Sequence, residues 1–411
     1  MTTSTPYFRV TSPGESLVPG PRTGVLITPH GEIQTPAFLP VATQGSVKAL
    51  SPSDVVSLGG QVVICNAYHL ALRPGVDLIE QAGGLHGFMG WDRPIATDSG
   101  GFQMTSLAHR LRISDEAVTF LSHIDGTQFH LSPESAVALQ ERLGADMIMC
   151  LDQPLNYGVD RDGVERALVR THLWAERSAR AHRPEMGLLY GIAQGGTEAD
   201  LREESSRFIA ALDGTQGIAI GGLSLGEPKD VMWEMVDVSM PLLPVHKPRH
   251  LLGVGSPEDI VEGVARGIDT FDCALPTRVA RNGALYTPQG RVDILNARYM
   301  KDLGPVMEAC DCETCGTHSA AYLQHLFKAK ELLAYRLASI HNLRFIHRLF
   351  DDARSAITAG TYEQFRRDFH AAYAPSDAAA REEQRGLWLR SQQAREQANL
   401  PDEWESDPGL D

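Results

Sequence analysis

Between residues 36 and 275, short apolar runs alternate with longer segments of helical apolar spacing, the pattern of repeated βα units rather than of an antiparallel meander. The runs predict strands at Phe38–Ala42, Val62–Asn66, Ile95–Thr97, Met147–Leu151, Leu188–Ala193, Gly217–Ile220, Leu251–Val254 and Thr270–Cys273. Helix starts are marked between them. Ser132-Pro133-Glu134 and Ser256-Pro257-Glu258-Asp259 each supply a capping hydroxyl, a proline at the first helical position and first-turn acids, and residues 163–182 and 198–212 carry amphipathic spacing. Eight such strands predict an α/β fold of the (β/α)8 TIM-barrel class. A doubly wound open sheet is the rival, and it would gather ligands at a switch point instead.

Polar residues punctuate the strand ends: Asp98, Asp152, Gln194, Gly221-Gly222 and Asp272. In a parallel barrel those ends share one face, so groups distant in sequence would converge on a single pocket. In Thr97-Asp98-Ser99-Gly100-Gly101-Phe102-Gln103 a carboxylate and a hydroxyl precede a glycine pair; they either form a turn or project into a pocket that the glycines let backbone approach. Asp272 lies between Phe271 and Cys273. A carboxylate there is costly unless it is bonded to backbone or to an arginine such as Arg278, or is used as a nucleophile at a sugar carbon. Asp152 could accept two adjacent N–H groups of a purine edge, Gln194 and the Gly222 backbone could bind a carbonyl, and Phe102 and Leu252 could contact the two faces of a flat ligand or serve as core.

The chain has 411 residues, 43% of them hydrophobic, which suffices for one large domain with an appendage. No run of roughly 18 apolar residues occurs, and the N-terminal MTTSTPYFRV lacks an export-signal layout, so a cytoplasmic protein that does not cross a membrane is expected. A net charge of −15 argues at first against a nucleic-acid partner. Acidic residues crowd the tail, however, whereas Arg266, Arg278, Arg281, Arg291, Arg298 and Lys301 gather just before residue 310. A basic face on an acidic protein is compatible with that distribution.

Three of the six cysteines fall in Cys310-x-Cys312-x2-Cys315, and His341 follows after 25 intervening residues. Soft ligands at this spacing point to one tetrahedral zinc site; His318, His325 and His347 are alternative fourth ligands, with spacing favouring His341. Cys65, Cys150 and Cys273 sit singly in apolar segments and read as small buried residues in a reducing compartment. These divisions predict a barrel over 1–300, a zinc-binding subdomain with closing helices over 301–375, and an acidic helical or disordered tail over 376–411.

Several segments together resemble the queuine tRNA-ribosyltransferases, or tRNA-guanine transglycosylases: NAYHLALRPG at 66–75, GGLHGFMGWDRPIATDSGGFQ at 83–103, SHIDG at 122–126, YGIAQGG at 190–196, GGLSLGE at 221–227 and GIDTFDCALPTRVARNG at 267–283, followed by the cysteine array. The resemblance spans nearly all of residues 22–350. It implies exchange of the wobble guanine of tRNAs with a G-U-N anticodon for a 7-deazaguanine, without a nucleotide cofactor, by a bacterial-type homodimer carrying structural Zn2+. It further implies Asp272 as nucleophile, Asp98 as general acid/base, Ser99, Asp152, Gln194 and Gly222 as base-reading positions, Phe102 and Leu252 as the residues that sandwich the base, and Arg278 and Arg281 as anticodon-loop contacts.

The chain departs from the family pattern at four places. Gln153-Pro154 stands where bacterial members usually have Glu-Cys, Leu252 replaces a common Met, Ser256 a common Lys, and Leu225 occupies a position where members taking the bulky base queuine carry Gly. A large side chain at 225 favours 7-aminomethyl-7-deazaguanine, with Glu227 as an anion near its amine. A DNA-acting relative, a non-catalytic partner subunit and a barrel glycosidase are the competing readings; the presence of both Asp98 and Asp272 argues against the partner subunit.

Overall fold

The computed structural model of the chain describes residues 7–12, 19–102, 109–122, 124–375, 386, 387 and 389–391. Apart from its last five described positions, the expected tail over 376–411 lies outside them.

All eight expected barrel strands form: β1 (Ala37–Pro40), β2 (Val63–Asn66), β3 (Ile95–Asp98), β4 (Met147–Met149), β5 (Leu188–Ala193), β6 (Gly217–Ile220), β7 (Arg249–Leu251) and β8 (Thr270–Cys273). They pair in parallel in the order of the chain, and β8 returns to β1 in the register Thr270 to Ala37 through Cys273 to Pro40. A parallel bridge between Val41 and Ile64 joins β1 to β2, so the ring closes. This is the (β/α)8 barrel, and the open-sheet alternative is excluded.

Strands buried on both faces read as continuous apolar runs, yet their alternation still sorts two layers. Ala37, Leu39, Ile64, Ala96, Met147, Met149, Leu188, Tyr190, Ile192 and Ala219 pack together in the lumen, while Phe38, Val63, Ile95, Ile148, Leu189, Ile218 and Phe271 face the surrounding helices. The lower end is plugged by an antiparallel sheet of Phe8–Ser12, Thr23–Thr28 and Gly31–Thr35, whose Phe8, Leu26 and Ile33 join the luminal layer. Asp146, just below β4, ties that plug down by accepting from the His30 backbone N–H at 3.2 Å and the Ile95 N–H at 2.8 Å.

Three features depart from the simple βα reading. A three-stranded antiparallel meander, His109–Ile113, Val118–Leu121 and Gln128–Leu131, is inserted after β3. Strand β7 lies two residues earlier than the apolar run Leu251–Val254, because Gly253 adopts φ +73° and turns the chain out of the ladder. Finally, β8 is followed by a short helix (Leu275–Arg281), a hairpin (Ala284–Thr287 with Gly290–Asp293) and the cysteine segment before the long helix Leu332–Thr358 covers the closing seam, where Phe350 packs against Phe38 and Phe271 at ring separations of 6.3 and 5.6 Å. No helix of the described residues is long and apolar enough to cross a membrane.

Candidate active site

Luminal alternation carries upward to the last inward position of each strand. Asp98 shares the parity of Ala96, Gln194 that of Ile192, Gly221 that of Ala219, and Asp272 that of Thr270. These positions ring the upper mouth, where a cavity of about 620 Å³ is lined by Asp98, Ser99, Phe102, Asp152, Gln194, Gly222, Leu252, Asp272 and Arg278 among others. That volume is ample for a purine with part of its nucleoside. Phe102 follows β3 and Leu252 follows β7, four strands apart in a ring of eight, so they lie on opposite sides of the mouth.

Asp272 is held from behind. His250 Nε2 lies 3.2 Å from its Oδ1, the Gly253 N–H donates to the same oxygen at 2.9 Å, and His250 Nδ1 meets the Thr270 hydroxyl at 2.9 Å. With Nε2 donating to Asp272 and Nδ1 accepting from Thr270, the imidazole satisfies all three groups. Asn66, at the top of β2, donates from Nδ2 to Asp98 Oδ2 at 2.7 Å, while its own Oδ1 caps the next helix by accepting from the His69 N–H. Burial, followed by the charge of Asp272, pushes the Asp98 carboxyl up to about 8, so it carries a proton at neutral pH. Burial also raises Asp152, to about 6, against the opposing hydrogen bonds of Gln194 and Ser99. At neutral pH one carboxyl is therefore protonated and the other ionised.

The Asp152–Gln194 pair is short, with Nε2 to Oδ2 at 2.6 Å, and two glycines make room for it. A Cβ at Gly101 would stand 2.6 Å from Asp152 Oδ1, and one at Gly222, whose φ is +69°, would stand 2.1 Å from Gln194 Oε1. Arg202, fully buried, binds the carbonyls of Ala193, Gly196 and Gly221 and so fixes both loops. Glu227 stands behind the wall formed by Leu223, Ser224 and Leu225, its carboxylate accepting from the Ser224 and Leu225 N–H groups. Pro154 lines the cavity, whereas the Gln153 side chain is bound at 2.7 Å by Arg170. Arg278 is exposed at the mouth; Arg281, one turn on, has a buried Nη1 that makes no hydrogen bond. The sequence reading passed over Asn66, His250 and Arg202. A histidine in the luminal register of β7 was a usable signal for His250, but only with the strand placed two residues earlier.

Below this mouth, Cys310, Cys312, Cys315 and His341 bring their ligand atoms within 4.8 Å of one another. His341 Nε2 is 2.7 Å from the Tyr286 carbonyl, which makes that nitrogen the donor and turns Nδ1 toward the sulfurs of Cys310, Cys312 and Cys315 at 3.8, 3.8 and 3.3 Å. A tetrahedron with Zn–S of about 2.3 Å and Zn–N of about 2.1 Å has an S···N edge of about 3.6 Å. The donor set and spacing fit a zinc ion, and the outer hydrogen bond sets the tautomer such a ligand requires.

The family model for queuine tRNA-ribosyltransferase matches residues 19–375. The chain belongs to the queuine tRNA-ribosyltransferase family. It is 51% identical over 365 residues to the queuine tRNA-ribosyltransferase of Symbiobacterium thermophilum, covering 89% of this chain and 91% of that protein. To those of Herpetosiphon aurantiacus and Pelotomaculum thermopropionicum it is 50% identical over 370 and 366 residues, covering 90% and 89% of this chain and 94% and 98% of theirs. Membership of this family of tRNA pentosyltransferases bears out the expected enzyme class.

Proposed function

We propose that this chain exchanges the wobble guanine of tRNAs with a G-U-N anticodon for 7-aminomethyl-7-deazaguanine, through a ribosyl ester on Asp272. The observation that carries the reading is the meeting of a braced carboxylate, a protonated carboxyl and an ionised base-reading carboxylate in one cavity. Asp272 Oδ2 attacks ribose C1′, the C1′–N9 bond breaks with its electron pair passing to guanine, and Asp98 gives guanine its proton. Esterification removes the Asp272 charge that helped to keep Asp98 protonated, so Asp98, having given its proton away, stays ionised and free to accept another. It takes the N9 proton of the incoming base, whose nitrogen attacks C1′ and releases Asp272 with overall retention.

Ionised Asp152 accepts from N1–H and the exocyclic amine, Gln194 and the Gly222 backbone donate to the carbonyl, and Phe102 and Leu252 cover the two faces of the ring. Ser99 orients Asp152, and Arg278 and Arg281 hold the anticodon loop, where the target base leaves its stack more readily than from a duplex. Leu225 on the cavity wall narrows the space around the 7-substituent, and Glu227 behind that wall favours an amine there. Zinc at Cys310, Cys312, Cys315 and His341 would act as a closed structural cross-link. A cytoplasmic homodimer completes the reading.

The test is release of labelled guanine from such a tRNA, chased separately with 7-aminomethyl-7-deazaguanine and with queuine. Release by the first alone is expected; release by queuine overturns the assignment of the base, and release by neither overturns exchange itself. Asp272→Asn should lose at least about 10³-fold in rate and trap no covalent tRNA; a variant that still traps tRNA as the parent does removes Asp272 from the reaction.

A further inference from the structure

The cavity is also lined by Lys229, Ser256, Glu258, Asp259 and Arg291, which the proposed function leaves without a role. Lys229 opens the helix Lys229–Ser239 after β6, whereas Ser256 caps the helix Pro257–Ala265 after β7. The two loops meet at Asp259: Lys229 Nζ and Ser256 Oγ donate to the same carboxylate oxygen, the latter at 2.7 Å. The carboxylate side chain is 6% exposed and that of the lysine 46%, so the acid is the buried anchor of a lysine that stays open to solvent. Only one of its three N–H groups is used by Asp259.

Resting on the function proposed above, we infer that Lys229 is a tRNA-binding residue of this site, supplying a cation from the β6 loop, and that Asp259 is its positioning residue. Asp152, Asp272, Glu258 and Asp259 all line the cavity, against Lys229, Arg278 and Arg291 among the cations. A polyanion approaching such an acidic mouth needs fixed positive charge at its edge. The partner of Lys229 is not the incoming base, because its aminomethyl cation would be repelled there; an RNA phosphate or nucleotide carbonyl next to the exchanged residue satisfies the ammonium. Ser256 shares the anchoring oxygen, so a lysine placed at 256 reaches the same region of the rim.

The test compares the full-length parent, Lys229→Ala and Lys229→Ala/Ser256→Lys in guanine exchange on the same tRNA across a salt series. Lys229→Ala is expected to raise KM for tRNA about 5- to 10-fold, to leave kcat and KM for the incoming base within twofold, and to lower the slope of log affinity against log salt by about one. The double variant recovers both the KM and the slope. Unchanged KM and slope in Lys229→Ala, or a double variant that binds tRNA no better than the single one, overturns the inference while the parent still exchanges. Absence of exchange by the parent overturns the proposed function itself and removes the basis of this inference. A melting curve of each variant separates loss of contact from loss of fold.

Discussion

At the residue scale, what distinguishes the carboxylates of the mouth is their company. Asp272 is braced by His250 and Gly253, Asp152 by Gln194, and Asp98 by Asn66, at donor distances between 2.6 and 3.2 Å. The reactive types and their places at strand ends were legible in the sequence, since polar groups at the top of apolar strands need a reason to be there. Their protonation was not, because it follows from burial and from mutual distance. Asp98, raised from 3.8 to about 8, binds a proton in the folded chain that it has lost in the unfolded chain across that range. Its contribution to stability is therefore complete below about pH 3.8 and lost as pH rises through about 8. Asp98→Asn should accordingly be more stable than the parent at pH 8.5, by on the order of 1–3 kcal/mol, with the difference closing toward pH 4. Paired thermal melts at the two pH values check this, and an equal difference at both would show that Asp98 is not the titrating group. In the proposed mechanism the same proton passes to the leaving base, so formation of the ribosyl-enzyme should slow above about pH 8.

At the element scale, the helix Leu332–Thr358 does two jobs at once. His341 faces the three thiols, the next residue, Asn342, accepts from the Tyr286 N–H at 3.0 Å and donates to the carbonyls of Pro276 and Ala284 at 3.0 Å each, and Phe350 closes the barrel seam. The cysteine cluster is thereby tied through one helix to the segment that carries Arg278, Arg281 and the cavity-lining Tyr286. Cys312→Ser is expected to cost about 2.5–4 kcal/mol of zinc binding, one ligand's share of about 10–16 kcal/mol, on the order of 10²- to 10³-fold in affinity. Metal analysis and melting after dialysis against a weak chelator report it; stoichiometric zinc with parental melting would discard the zinc assignment. The spacing of the cysteines sufficed to single out the cluster, because thiols so near in sequence are near in space. Spacing favoured His341 over His318, His325 and His347, and the helix turns its Nδ1 onto the sulfurs.

At the scale of the whole molecule, the two ends of the barrel divide chemistry from stability. Below β8, Asp269 receives Arg22 through Nε at 2.9 Å and Nη2 at 2.5 Å, and the Arg249 N–H at 2.7 Å, all buried and remote from the upper mouth. Asp269→Ala should cost about 3–5 kcal/mol of unfolding free energy by stranding Arg22, while the kcat of folded molecules stays near that of the parent. Denaturant unfolding beside active-site titration tests this division, and a large fall in kcat per folded molecule would contradict it. The repeated βα period, the eight strands, the strand-end carboxylates and the cysteine array were determined by the sequence alone, because alternation, helical spacing and ligand type are local properties of the chain. Closure of β8 on β1, the insertion after β3, the position of β7, the bracing of Asp272 by His250 and the meeting of Lys229 with Asp259 were decided only by the tertiary structure. Each depends on groups brought together across strands or loops, where register, glycine conformation and burial select partners that sequence distance does not reveal.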